Sequence, residues 1–268
     1  MARRKSFKDG VIEKAKKFTV ANQPLENRYV SMTNMLVRAG HGVDISAKRL
    51  IGLALSKLDS LRGRGIDAGP LVSRITAAEY ADYCGVSMSV SYRALSDAAD
   101  KLKRAIVTFY TPAYKRDGSP LAPTRHKVSW CRKTSYQDDE GWVELEWDKD
   151  IEPHLVGLKK HFTTYLLSQT SGLRSTYSWR LLEQLQRFKA TGWWQVTIED
   201  FCETMEATEK QKSNFNNLRR KMLEPAKKEL ETKDGWDIRY FPIKSGRKVT
   251  SLKFVFKHDG QQNLNLPL

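Results

Sequence analysis

Cysteine is scarce in this chain of 268 residues: there are three, Cys84, Cys131 and Cys202. They stand far apart, so neither a disulfide framework nor a zinc site of paired cysteines is expected, which suits a reducing compartment. No apolar run approaches the ~18 residues of a membrane span, and the basic stretch Met1–Phe18 lacks the apolar centre of a secretory signal. The five histidines, His41, His126, His154, His161 and His258, never stand two apart, so the His-hydrophobic-His pair that holds a metal beside a nicking tyrosine is missing. His154 and His161 are spaced to share a helix face, yet no cysteine or carboxylate cluster completes a ligand set. A GxxxxGK[ST] phosphate loop is also missing, which removes the usual means of ATP-driven work. Acidic residues are in deficit, 31 against 46 Lys and Arg, for a net charge of +15. These absences lead to an expectation of no catalysis, no metal, no cofactor and no membrane, in a cytoplasmic protein whose partner is a polyanion, nucleic acid first among them.

What is present is patterned. A hydrophobic fraction of 40% supports packed cores over two domains. From Thr176 the run TYSWRLLEQLQRF places Tyr177, Leu181, Leu185 and Phe188 at helical spacing and Arg180, Gln184 and Arg187 on the opposite, solvent side. After Gly192 the segment WWQV is short and apolar, with one ring of Trp193 and Trp194 expected in the core. Thr197 then opens a second helix with Asp200 three residues on, a capping-box-like start, and Ile198, Phe201, Cys202 and Met205 form its stripe. A third helix beginning near Ser213 turns Phe215, Leu218, Met222, Ala226 and Leu230 inward, leaving Asn217, Arg220, Lys221 and Lys228 outside. Pro225 predicts a kink or restart, because proline removes a backbone donor in mid-helix. A hairpin closes the module: Trp236, Ile238 and Tyr240 alternate on one strand and Leu252, Phe254 and Phe256 on the other. Its turn carries Lys244, Gly246, Arg247 and Lys248, a tip suited to phosphates. Three helices followed by a basic-tipped hairpin spell a winged helix.

The same order occurs earlier. Thr76-Ala77-Ala78-Glu79-Tyr80-Ala81 overlays Thr197 to Cys202 at a shift of 121, cap on cap and stripe on stripe. SAKRLIGLALSKL from Ser46 supplies a first helix. Strands are expected near Ile106–Phe109, Lys127–Trp130 and Trp142–Trp147. The fold class is therefore α+β, two tandem winged-helix domains related by an internal repeat. The copies differ in charge. In the first, Met88, Tyr92, Leu95, Ala99, Leu102 and Ile106 form the expected buried stripe, which turns Arg93, Asp97, Asp100, Lys101 and Arg104 outward, and its hairpin tip is Asp138-Asp139-Glu140-Gly141. The two aspartates and the acidic tip repel phosphate. Lys115, Arg116, Arg125 and Lys127 could still touch backbone.

The run from Leu158 to Phe188, LKKHFTTYLLSQTSGLRSTYSWRLLEQLQRF, followed by FNNLRRKMLEPAKKELE from Phe215 to Glu231, resembles the second domain of theta-type plasmid replication initiators, the Rep proteins that bind iterons. NMLVRAGHGVDISAKRLIGLAL and YRALSDAADKL fit the first domain more loosely. The resemblance implies an initiator that binds directly repeated origin sites as a monomer and represses its own gene as a dimer, with the first domain supplying most of the dimer interface. It further implies a host replication initiator and a replicative helicase as partners. On that reading residues 1–24 form a flexible basic arm, 25–158 and 159–258 the two winged helices, and 259–268 a tail. Base contacts are assigned to Asn217 and Arg220, with Ser213, Asn216 and Arg219 as further candidates. Lys212, Lys221, Lys244, Arg247 and Lys248 would hold phosphates of double-stranded DNA, joined by Lys115, Arg116 and Arg125. A transcriptional repressor built from the same two domains is the alternative, and a DNA-coating protein with little sequence preference is a third reading.

Overall fold

The computed structural model describes residues 23–65, 68–137 and 140–258. Most of the expected arm, the expected tail and the Asp138-Asp139 pair lie outside the described residues. From the N-terminal side the elements run β1 (Tyr29–Thr33), α1 (Asn34–Arg38), α2 (Ile45–Leu55), β2 (Val72–Thr76), α3 (Ala77–Cys84), α4 (Met88–Arg104), β3 (Ile106–Tyr114), β4 (Pro120–Ser129), β5 (Cys131–Gln137), β6 (Trp142–Trp147) and β7 (Phe162–Leu166). They continue with α5 (Ser168–Ser171), α6 (Thr176–Arg187), β8 (Trp193–Thr197), α7 (Ile198–Thr204), α8 (Glu209–Lys212), α9 (Phe215–Leu218), a π turn over Arg219–Leu223, α10 (Glu224–Asp234), β9 (Trp236–Ser245) and β10 (Lys248–His258).

These elements fall into two compact units. The first takes the chain up to Thr33, then Ser46–Arg104 and Val128–Ser171, and the second takes Asn34–Ile45, Ala105–Lys127 and the chain from Gly172. Each holds a three-stranded sheet of the same order: β2-β6-β5 in the first and β8-β10-β9 in the second. In both, the strand leading into the second helix pairs with the last strand of the hairpin. In both, that leading strand also ends on the threonine that caps the helix. Thr76 Oγ1 accepts from Glu79 N at 3.2 Å, and Thr197 Oγ1 from Asp200 N at 3.1 Å. The internal repeat is thus present in topology as well as in sequence.

In the first unit β1 and β7 form an additional antiparallel pair. Trp130 and Trp147 meet edge to face at 6.3 Å in the core, with Ile75, Leu95, Leu102, Val143 and Leu145 around them. Helix α4 departs from its expected stripe, since Met88, Tyr92 and Ile106 are exposed while Ser91, Leu95, Ala98, Ala99 and Leu102 are buried. Tyr92 lies instead against the hairpin turn, where Gly141 has φ +62° and an added Cβ would stand 2.1 Å from the Tyr92 ring. Glu79 completes a reciprocal capping box at Thr76 and also binds Lys57 at 2.8 Å and Arg28 at 3.4 Å. Burial raises its pKa, but those partners outweigh burial and hold it below the ordinary value.

In the second unit Phe188, Trp194, Phe254 and Phe201 stack in sequence, with centroids 5.9 Å, 5.1 Å and 5.8 Å apart. Trp193, by contrast, is exposed, so one ring of the pair is in the core as expected. Helix α6 corrects the sequence reading: Arg180 and Gln184 do not face solvent, and every residue from Ser178 to Gln186 is buried. The reason is the segment Asn34–Ile45, built into the same unit. Gln184 Nε2 donates to the Val37 carbonyl at 3.0 Å. Arg180 donates to the carbonyls of Ala39 at 2.7 Å and Thr204 at 2.9 Å, lies 3.5 Å from Glu183, and stands 3.0 Å from His41. Gly42, at φ +63°, sits where a Cβ would meet the Ile106 carbonyl at 2.8 Å, and its N–H donates to Glu206 at 2.8 Å. A buried guanidinium is tolerated only with its donors filled, and here main-chain oxygens fill them. Arg180→Met should therefore cost about 3–5 kcal/mol, because it removes the cation beside buried Glu183 and leaves two buried carbonyls without their donor. Urea melts that place the variant within ~0.5 kcal/mol of the wild type would contradict this.

At the far end of α10, Gly235 adopts φ +65° and ends the helix, so that Asp234 can accept from Trp236 Nε1 at 2.8 Å. His258 Nε2 stands 3.5 Å from Asp234 and packs edge-on against Trp236 at 4.9 Å. The hydrogen bond with Asp234 raises the His258 pKa more than burial lowers it. A raised folded-state pKa means stability that is complete below the unfolded value and lost as pH rises through the folded one. We expect the unfolding free energy to decline across that window, and His258→Gln to remove the decline. Chemical denaturation followed from pH 5 to 9 checks it.

Candidate DNA interface

The surface carrying most of the candidate residues is built from α8 onward. Thr208 and Gln211 form a reciprocal capping box, Gln211 Oε1 accepting from Thr208 N at 2.8 Å, which gives a separate short helix ahead of the long one. Ser213 therefore ends α8 rather than opening the next helix, and its hydroxyl donates to the Lys210 carbonyl at 3.1 Å. Asn214 is the cap of α9, its Oδ1 accepting from Asn216 N at 2.7 Å. Leu218, Met222, Ala226 and Leu230 are buried and Phe215 half-buried. The expected break near Pro225 is present as a π turn over Arg219–Leu223, followed by α10 with the proline in its first turn. That is where a missing N–H costs nothing. A wider turn before it accommodates the ring without a helix end.

The candidates divide by what else they touch. Lys212 pairs with Glu209 at 2.9 Å, and that hydrogen bond raises its pKa. Asn217 Nδ2 reaches the Lys210 carbonyl at 3.5 Å, and Arg219 donates to Asn216 Oδ1 at 3.4 Å. Arg220 and Lys221 are exposed and make no hydrogen bond or ion pair with any described residue. At the hairpin tip Gly246, at φ +59°, and Arg247 form the turn between β9 and β10. Lys244 and Arg247 there have no partner among the described residues, and Lys248 has only Glu199 at 3.9 Å, with both side chains largely exposed. Such a pair is worth little. Lys115, Arg116 and Arg125 are on the exposed β3–β4 hairpin, which packs with the second unit and where Gly118 and the Asp117–Ser119 hydrogen bond shape the turn.

Three features escape the sequence reading. The Thr208–Gln211 box was legible as a T-x-x-Q pattern. Asn214, next to an equally good capping residue, was not. Tyr240 donates to Glu224 Oε1 at 2.5 Å, tying the wing strand to the start of α10, and no spacing rule points to it. His154 occupies a short 3-10 turn and contacts Thr33 at 2.8 Å, while His161 lies outside any helix at φ +54°, so the two share no helix face. No group of metal ligands occurs among the described residues.

Residues 29–186 match the family model described as Initiator Replication protein, WH1, and residues 197–256 match Initiator Rep protein, WH2. The chain belongs to the initiator Rep family. An uncharacterized 27.6 kDa protein of Escherichia coli is 26% identical to this Rep protein over 240 residues, 87% of the chain and 95% of the relative. The PI protein of Escherichia coli is 26% identical over 247 residues, 80% of the chain and 78% of the relative. The crystal structure of Pi initiator protein in complex with iteron DNA superposes with a TM-score of 0.69 at 22% identity, covering 89% of the chain and 100% of its own. The two winged helices of the Rep family are thus both present. No helix among the described residues is long and apolar enough to cross a membrane.

The free guanidinium of Arg220 yields a specific expectation. Arg220→Ala should remove about 1–3 kcal/mol of discrimination between specific and scrambled duplexes while leaving the melting temperature unchanged. Equal loss on both duplexes in fluorescence anisotropy would make it a phosphate contact instead.

Proposed function

We propose that this Rep protein initiates plasmid replication by binding directly repeated origin sites as a monomer through its second winged helix, and represses its own gene as a dimer. The observation that carries the reading is the pair Arg220 and Lys221, exposed and unpartnered on the face of the third helix opposite its buried stripe. A major groove offers the acceptors such donors lack. The hairpin tip of Lys244, Arg247 and Lys248 adds phosphate contacts, and Ser213, Asn214 and Asn216 sit around the helix start. The Pi–iteron complex, a structure of the same fold, supports DNA of this kind as the ligand.

The first winged helix, within the proposed span of residues 25–158, has Asp97 and Asp100 exposed on α4. It carries self-association, while Lys115, Arg116 and Arg125, on a hairpin that packs with the second unit, add backbone contacts. The chain itself performs no chemistry, acts in the cytoplasm, and recruits a host initiator and replicative helicase.

A plasmid carrying the gene and its flanking DNA should replicate, and should stop when the gene is disrupted. Replication that persists without the gene overturns the proposal, and a lone inverted repeat as the only bound site would make the protein a repressor. Changing Lys244, Arg247 and Lys248 together to Ala should weaken binding to every duplex and flatten its salt dependence, by about 0.9 in log–log slope per lost contact. An unchanged slope removes the hairpin tip from the interface.

A further inference from the structure

The second unit contains a cavity of about 290 Å³ beside the outer edge of β8, lined by none of the residues assigned above. Two arginines line it: Arg38 from the end of α1 and Arg187 from the end of α6. Neither forms an ion pair with a carboxylate among the described residues. Arg38 makes no hydrogen bond there, and Arg187 donates only to Gln184 at 2.9 Å, its guanidinium lying 4.6 Å from the Phe188 ring centre. Thr197, whose hydroxyl accepts from Asp200 N at 3.1 Å, and Ser251 line the same space. Asp200 is the acid on the wall, and it pairs with neither arginine.

Two like charges on one small, partly enclosed volume repel each other. Burial, and then the Arg38 charge beside it, press the Arg187 pKa down to about 10. Elsewhere in the protein half-buried cations are matched: Lys57 by Glu79, Arg64 by Glu152, Lys227 by Glu231. The Arg38–Arg187 pair is left without such an acid, on a wall that two hydroxyl-bearing residues, Thr197 and Ser251, also line. Paired guanidiniums with nearby O–H groups form the donor set that phosphate oxygens fit.

We propose that Arg38, Arg187, Thr197 and Ser251 form a phosphate-binding site in the second unit, distinct from the helix and hairpin tip assigned to base and backbone contacts. The ligand is a phosphate group, carried either on a small molecule or on the DNA backbone. The volume accepts more than a bare phosphate, being near the lower end of small-ligand pockets.

The test uses the full chain in two arms. In the first, thermal melting is followed with sodium phosphate, pyrophosphate and ATP, each against sodium chloride at matched ionic strength. In the second, the salt dependence of duplex binding is measured. Both arms compare the wild type with Arg38→Gln, with Arg187→Gln, and with Asp200→Asn. Stabilisation of the wild type by a free phosphate compound, lost in both arginine variants and enhanced in Asp200→Asn, establishes a small-molecule site. That result stands even if the protein fails to bind origin repeats. Absence of that stabilisation, with a fall of about 0.9 in the duplex-binding slope for each arginine variant, assigns the site to the DNA backbone and rests on the proposed function. No response in either arm overturns the proposal. Arg38 is exposed and free of partners, so its variant keeps the test decisive should Arg187→Gln fold poorly.

Discussion

The second unit depends on one buried cation. Arg180 projects from a helix that is covered on every side, and its guanidinium is held by carbonyls from two separate stretches of chain, at Ala39 and Thr204. A charge in such a place is excluded unless every donor is filled. The folded unit therefore requires the segment around Ala39, which precedes α6 by more than a hundred residues. Gln184 and Gly42 repeat the demand, through Val37 and Glu206. The module that follows Gly172 in sequence is thus incomplete as a packed body without a strip of chain from near Asn34.

Repetition of a fold has left different chemistry at equivalent positions. Glu79 and Asp200 occupy the same place in their helices, three residues past a capping threonine. Glu79 is drawn into a network with Lys57 and Arg28, while Asp200 stays exposed and unpaired. Helix α4 runs unbroken for 17 residues and shows Asp97 and Asp100 to solvent beside Arg93, Lys101, Lys103 and Arg104. Its counterpart is divided into α8, α9, a π turn and α10, and shows arginine and lysine. A shared scaffold with different surface residues allows the two halves distinct partners without any change in how their cores are built.

How far this could be read from residues alone depended on whether the deciding contact was local. The β9–β10 hairpin was legible because alternation reports directly on which face is buried, and Trp236, Ile238, Leu252, Phe254 and Phe256 all went where period two puts them. The threonine caps were legible for the same reason, the contact closing within three residues. Arg180 and Gln184 were misread because charge and polarity usually mean solvent, and the acceptors that reverse this are distant in sequence. Neither strand of the β1–β7 pair stands out in the pattern, since each is short and its partner is remote. Among the interface residues the outward placement of Arg220 and Lys221 could be read from the stripe. The boundary between Ser213 and Asn214 could not, because both residue types cap helices well.

The π turn leaves an arithmetical trace in the sequence. Leu218, Met222, Ala226 and Leu230 recur at intervals of four, and in a regular α-helix each such step overshoots a full turn by about 40°. Three steps would carry Leu230 about 120° around from Leu218, off any single face. All four are nevertheless buried. One wider turn takes up part of the surplus rotation and holds the later side chains under the earlier ones. The cations that precede and follow the turn therefore cannot be placed on one helical wheel, and a one-residue deletion within Arg219–Leu223 would restore ordinary winding while rotating the donor face away from the stripe that anchors it.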